Sequence, residues 1–303
     1  MKNVYQSITE GEIWDYVYSL DNYKIIYSTP CDSAPPICAI YFSSSGIYFP
    51  NTEEELYKNI VESDKYEWYN HKIKRASKHI FIRDVSKNFY VVGINKKINT
   101  IDKIAEFLKI ETNGYDVVTV GSSGGAYAAA LLGSILGAKE VYSFSCFWDL
   151  NQVSNDVWHL IAKYSIFSDY NKFYELYKVV QKYSDTKILY IYPANNYDEI
   201  NNDILQSKLV ENISNVYIIP MASQKHGVCI EDSYLLNKLL NITSERFKNM
   251  DAPVSEKELA KKMLSHHEYF MYIIVSLCER YTTRLRKLKT KLYFITKNFR
   301  KNK

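Results

Sequence analysis

The chain has 303 residues, 47% hydrophobic and 24% charged, a balance close to the average of soluble globular proteins, which excludes wholesale disorder and permits one large core or two ordinary ones. No uninterrupted apolar run reaches the roughly 18 residues of a membrane-spanning helix, and the opening MKNVYQSITEGEIWDY lacks the apolar stretch of a secretory signal. Charge is uneven: the formal net charge is +4, yet residues 280–303 hold ten Lys or Arg and no acid, leaving −6 for residues 1–279, so an acidic body carries a basic tail.

Seven β-branched and aromatic runs predict strands: Tyr23–Ser28, Ile37–Phe42, His79–Ile82, Asp116–Val120, Glu140–Phe144, Lys187–Tyr192 and Val216–Ile219. The later ones are continuous apolar runs, as expected of parallel strands covered on both faces. Helical periodicity lies between them at Thr100–Lys109, Ala126–Leu136, a longer region from Asn151 to Lys182, and Asn202–Val210. This alternation predicts an α/β fold with a mostly parallel central sheet and helices on both faces. Pro253 and the polar run Lys248–Ser255 suggest a boundary, giving a body over residues 1–247 and a helical basic extension over 248–303.

The chemistry gathers after the fourth strand. Only 10 glycines occur in the chain, and Gly121-Ser122-Ser123-Gly124-Gly125 uses three of them in the pattern G-x-S-x-G. A strand precedes it and an Ala- and Leu-rich helix follows. That is the setting in which a serine is presented as a nucleophile from a tight strand-to-helix turn, with the backbone N–H of the next residue, Gly124, available to an oxyanion. A glycine-rich phosphate loop would look similar, but G-K-[ST] and G-x-G-x-x-G are both absent. A base must follow. Of six histidines, His226 alone directly follows a predicted strand, in the kind of loop where α/β sheets place their chemistry. The third member, an acid to orient the imidazole, is sought in PANNYDEINND after the sixth strand. Asp198, in the loop, is the first choice. Glu199 is also available, Asp203 falls in the first turn of the next helix, where an acid is stabilising in any case, and Asp149 lies after the fifth strand. The small-residue loop Ser43-Ser44-Ser45-Gly46 follows the second strand, and its backbone N–H groups at Ser44 and Ser45 are candidates for the second oxyanion donor.

The order oxyanion loop, serine elbow, acid, histidine resembles the α/β-hydrolase superfamily over residues 20–245. The resemblance implies Ser123 as nucleophile, Asp198 as acid and His226 as base. The Gly-Ser-Ser-Gly-Gly turn with its small-residue helix is also similar to hydrolase-fold enzymes of bacterial surface-polysaccharide clusters, some of which are O-acetyltransferases. No H-G-G-G motif of lipases is present. Residues 147–185 would then form a cap, and its aromatics, Trp148 among them, could stack on a sugar or simply pack the cap on the body. Asp84, after the third strand, is a further candidate for substrate binding.

From Phe270, apolar residues recur at 274, 277, 281, 285, 288, 292, 295 and 299, with basic residues over much of the rest. This predicts a basic amphipathic helix for an anionic membrane surface or a protein partner; nucleic acid is a poor fit. Five scattered cysteines (Cys31, Cys38, Cys146, Cys229, Cys278) without C-x-x-C read as reduced thiols of a cytoplasmic protein, peripheral to the inner membrane face if the tail binds there. No metal ligand spacing is apparent. The expectation is a serine-dependent esterase or O-acyltransferase acting on an acylated glycan or other small ester, needing no cofactor beyond acetyl-CoA as co-substrate if it transfers acetyl groups. The competing expectation is a non-catalytic hydrolase-fold scaffold in a membrane-associated glycan-assembly complex.

Overall fold

The computed structural model describes residues 8–29, 35–159, 161–164, 168–197 and 202–278. Its centre is one seven-stranded sheet in the order β1-β3-β2-β4-β5-β6-β7, with β1 Tyr23–Tyr27, β2 Ile37–Phe42, β3 Lys78–Ile82, β4 Asp116–Ser122, β5 Glu140–Phe144, β6 Lys187–Pro193 and β7 Val216–Met221. Only β1 runs antiparallel, against β3; every other pairing is parallel. All seven expected strands form, in a mostly parallel sheet of the expected α/β kind.

The apolar runs become parallel strands because both faces of the sheet are covered, and the two-residue alternation divides each strand between two cores. Cys38, Ile40 and Phe42 of β2 face a layer that includes the helices Ile101–Glu111, Gly124–Leu136 and Leu176–Lys182. Ala39 and Tyr41 face the other layer, built by Trp68 and Ile73 with the helices Ser233–Leu239 and Glu256–Met263. The helix Gly124–Leu136 is central to the first layer and buries eleven of its thirteen residues. Only an all-small-and-apolar sequence such as GGAYAAALLGSIL tolerates that.

Two expectations change. The boundary at 248 is not a break in the core. Val254 bridges to Met221 at the end of β7, a capping box on Ser255 and Glu258 starts the next helix, and Leu259, Ala260, Met263 and Tyr272 are buried in the second core. Where a longer helical region from Asn151 to Lys182 was expected, the described residues form short pieces at Leu150–Gln152, Asn155–Trp158, Ala162–Tyr164, Ser168–Asn171 and Leu176–Lys182. The chain doubles back there, with Leu150 N–H donating to Tyr174 O and Tyr177 N–H to Trp148 O. Its apolar residues, including Trp148, Leu150, Tyr174 and Val180, pack into the first core.

Candidate active site

The serine turn is locked by close backbone approach. A Cβ on Gly121 would lie 2.0 Å from the carbonyl oxygen of Gly125, and one on Gly125 would lie 2.4 Å from that of Phe42; no side chain fits at either position. Between them Ser123 holds φ 55° and ψ −123°, a conformation that costs an L-residue about 1–3 kcal/mol and persists only where the surroundings impose it. The Ser123 N–H donates to Phe144 O at 2.8 Å, which ties the turn to the end of β5. The Ser123 side chain makes no capping hydrogen bond to the helix it precedes.

His226 meets it from the loop after β7. Its Nε2 lies 2.9 Å from Ser123 Oγ, and its Nδ1 lies 2.9 and 3.1 Å from the two carboxylate oxygens of Asp203. With the Nδ1 proton directed at the carboxylate, Nε2 is left free to accept the serine proton. The Asp203 side chain is 1% exposed and also accepts from Asn196 Nδ2 at 2.7 Å. The His226 loop is fixed by Ser145, whose Oγ donates to Gly227 O (2.9 Å) and accepts from Gly227 N–H (3.0 Å). Phe147 packs beside the imidazole, with ring centroids 5.5 Å apart.

The acid paired with His226 is therefore Asp203 and not Asp198, which with Glu199 lies outside the described residues. Asp203 sits in the first turn of the helix Asp203–Lys208, entered through Asn202 in the left-handed region. That helix is held in place by Gln206, whose Oε1 accepts from the N–H groups of Trp148 (2.6 Å) and Asp149 (3.0 Å). Asp149 is not available: its carboxylate accepts from Asn151 and Gln152 and caps the turn Leu150–Gln152.

The oxyanion candidates separate in the same way. Gly124 opens the helix beside the serine, and Ser45 lies against it, its Oγ 3.2 Å from where a Gly124 Cβ would stand. Ser44 is corrected: its N–H donates to Glu67 Oε2 at 2.6 Å and its hydroxyl to Glu67 Oε1 at 3.0 Å, so that N–H is already spent. Burial pushes the Glu67 carboxyl above its usual range, and the two Ser44 donors pull it back.

Both residues expected to bind substrate are structural. Asp84 is 3% exposed, and its carboxylate accepts the N–H groups of Ser86, Asn88 and Tyr90, shaping the loop after β3; burial raises it to about 6. Trp148 is wholly buried, edge-on to Tyr190. What opens beside His226 is a cleft of about 560 Å³, lined by residues including Ser44, Glu67, His71, Lys225 and Glu231. It draws on the segment between β2 and β3, on Ser122 at the end of β4, on the loop after β7 and on the helix Ser233–Leu239, and on none of the described residues of 147–185. Sequence reasoning missed Glu67, His71, Ser145 and Gln206. None sits in a local pattern; the only signal was the charged Glu67 within the aromatic run Tyr66–Tyr69.

Among the described residues no group of three His, Cys, Asp or Glu could hold a metal ion. No family model matches the chain, and no curated protein matches it either. Solved structures do match at low identity. An S-formylglutathione hydrolase from Agrobacterium tumefaciens is 10% identical with a TM-score of 0.43, covering 72% of this chain and 85% of that one. The capsule O-acetyltransferase of Neisseria meningitidis serogroup A is 13% identical with a TM-score of 0.43, over 67% and 84%. The Glycosylation Associate Protein (Gap123) complex from Streptococcus agalactiae contains a chain 16% identical with a TM-score of 0.43, over 65% of this chain and only 39% of that one.

Proposed function

We propose that this protein is a serine-dependent acyl-transfer enzyme in which Ser123, His226 and Asp203 form the catalytic triad. The observation that carries the reading is the continuous line from the Asp203 carboxylate through both imidazole nitrogens to Ser123 Oγ, each step within 2.9 Å at its closer contact. A scaffold has no need of such an alignment, nor of a serine held at positive φ.

In this reading Ser123 Oγ attacks an ester or thioester carbonyl while its proton passes to His226 Nε2. The carbonyl oxygen becomes an oxyanion, received by the N–H of Gly124 at the helix N-terminus and by that of Ser45 in the loop after β2. As the carbonyl re-forms, the leaving oxygen or sulfur departs with the proton from Nε2, and the acyl group stays on Ser123. An acceptor hydroxyl then gives its proton to His226 Nε2 and attacks the acyl-serine; the bond from the acyl carbon to Ser123 Oγ breaks, Oγ takes the proton back from Nε2, and the acyl group departs as the new ester or, with water, as the acid. The cleft is lined both by Glu67, His71, Lys225 and Glu231 and by Trp68, Val228, Ile230 and Leu236, and polar groups beside an aromatic and apolar wall suit a hydroxyl-bearing acceptor such as a glycan. Transfer in place of hydrolysis would use an acyl thioester such as acetyl-CoA as donor.

The test is turnover of p-nitrophenyl acetate by the full chain, with and without a sugar acceptor. An initial burst of nitrophenol that disappears in Ser123→Ala, with acetylated sugar formed when acceptor is present, is the expected result. Steady release that Ser123→Ala leaves unchanged would overturn the assignment.

A further inference from the structure

The last described helix spans residues 266–278 and begins with a reciprocal cap in which Ser265 Oγ accepts from Glu268 N–H and Glu268 Oε2 accepts from Ser265 N–H. One face docks on the body. Tyr272 is buried in the second core, Tyr269 and Ile273 pack against it, and Ser276 Oγ donates to Asp232 at 2.6 Å. These positions recur every three or four residues, and Glu268 on the same side pairs with Lys238 at 3.3 Å.

The opposite face is also apolar, and it is bare. Phe270 is 63% exposed, Ile274 38% and Leu277 59%. Three large apolar side chains in one helical row, pointing to water, are not explained by folding, because the body already has its own face of this helix. In the sequence the same spacing continues through Tyr281, Leu285, Leu288, Leu292, Ile295 and Phe299, interleaved with the ten Lys and Arg of residues 280–303 and no acid. An exposed apolar row that runs on into concentrated positive charge is complementary to an anionic bilayer, whose headgroups attract the cations while its acyl boundary accepts the apolar row. Among the described residues no helix is long and apolar enough to cross a membrane. We propose that the outward face of this helix at Phe270, Ile274 and Leu277, aided by the basic sequence that follows it, docks the protein on a bilayer of anionic phospholipid. The inference does not depend on the catalytic reading.

The test is co-sedimentation of the full chain with phosphatidylcholine vesicles, with and without phosphatidylglycerol, alongside its mass in solution. Binding is expected only to the phosphatidylglycerol vesicles and is expected to weaken as salt screens the headgroups. Changing Ile274 and Leu277 together to Ser lowers partitioning about tenfold or more. Changing Arg284, Lys287 and Lys291 together to Gln lowers it about a hundredfold, at roughly fivefold per charge. Ile274 and Leu277 lie off the docked face, and an unchanged melting temperature checks that the variants fold. Ser123→Ala should bind vesicles like the wild type, which separates this result from the fate of the triad. Absence of binding, or equal binding to neutral vesicles, would overturn the proposal. So would a stable dimer that Ile274→Asp dissociates, since a second copy would then cover the face.

Discussion

The two halves of the candidate site are held in different ways. On the serine side the backbone does the holding: Gly121 and Gly125 bring main-chain atoms so close that no other residue fits, and Ser123 is forced into its conformation by the turn around it. On the acid and base side, side chains do it. Asn196 holds Asp203, Gln206 anchors the helix that carries it, and Ser145 clamps the residue after His226. A backbone lock fails by preventing folding, whereas a side-chain lock fails by loosening geometry in a protein that still folds. Substitutions in the two halves should therefore be told apart by whether stability or turnover is lost first.

The largest expected effect is at Gly125→Ala. Its Cβ would collide with the carbonyl oxygens of Phe42 and Ser43 at 2.4 and 2.6 Å, so denaturant unfolding should show a loss of about 4 kcal/mol or more, or no folded protein at all. Near-normal stability would mean that the turn is less constrained than its geometry indicates. Next comes Asp203→Asn, which keeps the shape but presents the wrong hydrogen-bonding partner to Nδ1. The kcat for ester turnover should fall about 10⁴-fold, by comparison with other triads, with the melting temperature little changed. Asp198→Asn, made in parallel, should leave kcat within about twofold of the wild type on the same account; the reverse pattern would return the acid to Asp198.

Ser145→Ala should have an intermediate effect. Removing its hydroxyl strands the N–H and carbonyl of Gly227 and should cost about 1–3 kcal/mol in denaturant unfolding. Turnover should fall roughly tenfold as His226 loses its fixed approach, and a variant that loses stability alone would show that the clamp does not reach the imidazole.

The smallest effect is one of pH, and it lies away from the site. His79, hydrogen-bonded to Ser28 Oγ and Tyr41 OH, is lowered from 6.5 to about 4, chiefly by burial and further by the charge of Lys72. Its folded form resists protonation, so the unfolded chain takes up the proton first as pH falls, and stability is lost between about 6.5 and 4. Asp84 works in the opposite sense over almost the same interval: raised to about 6 by burial, it favours the folded state as it is protonated. The net acid sensitivity of the wild type is thus a partial cancellation, and His79→Gln should gain stability relative to wild type as pH drops from 6.5 to 4. Parallel unfolding curves for the two at both ends of that range would rule out a neutral buried His79.

The same division explains what could be read from the amino-acid sequence. All seven strands were legible because a strand buried on both faces must be apolar along its length. Ser123 was legible because its constraint is local, a glycine on each side at fixed spacing. The sequence also pointed to His226, placed by one strand end. Asp203 was passed over for Asp198 because both follow β6, and because an acid in a helix's first turn already has a sufficient reason to be there. Nothing local distinguishes the two; the distinction is made by Asn196 and by Gln206 reaching across to residues 148 and 149. Ser44 was misread for a related cause. The loop is where the sequence places it, but its N–H is claimed by Glu67, twenty-three residues away. Asp84 looked like a site residue from its position after a strand and Trp148 from its place among the aromatics of the expected cap, and only their burial shows that they serve a loop and the core.

The central claim is an activated serine at position 123, and the most direct measurement is the intact mass of the full chain after treatment with a fluorophosphonate. The account predicts a single phosphonyl adduct in the wild type, none in Ser123→Ala, and slow labelling in Asp203→Asn. A folded wild-type protein that takes up no adduct, or a Ser123→Ala variant that labels as the wild type does, would contradict it.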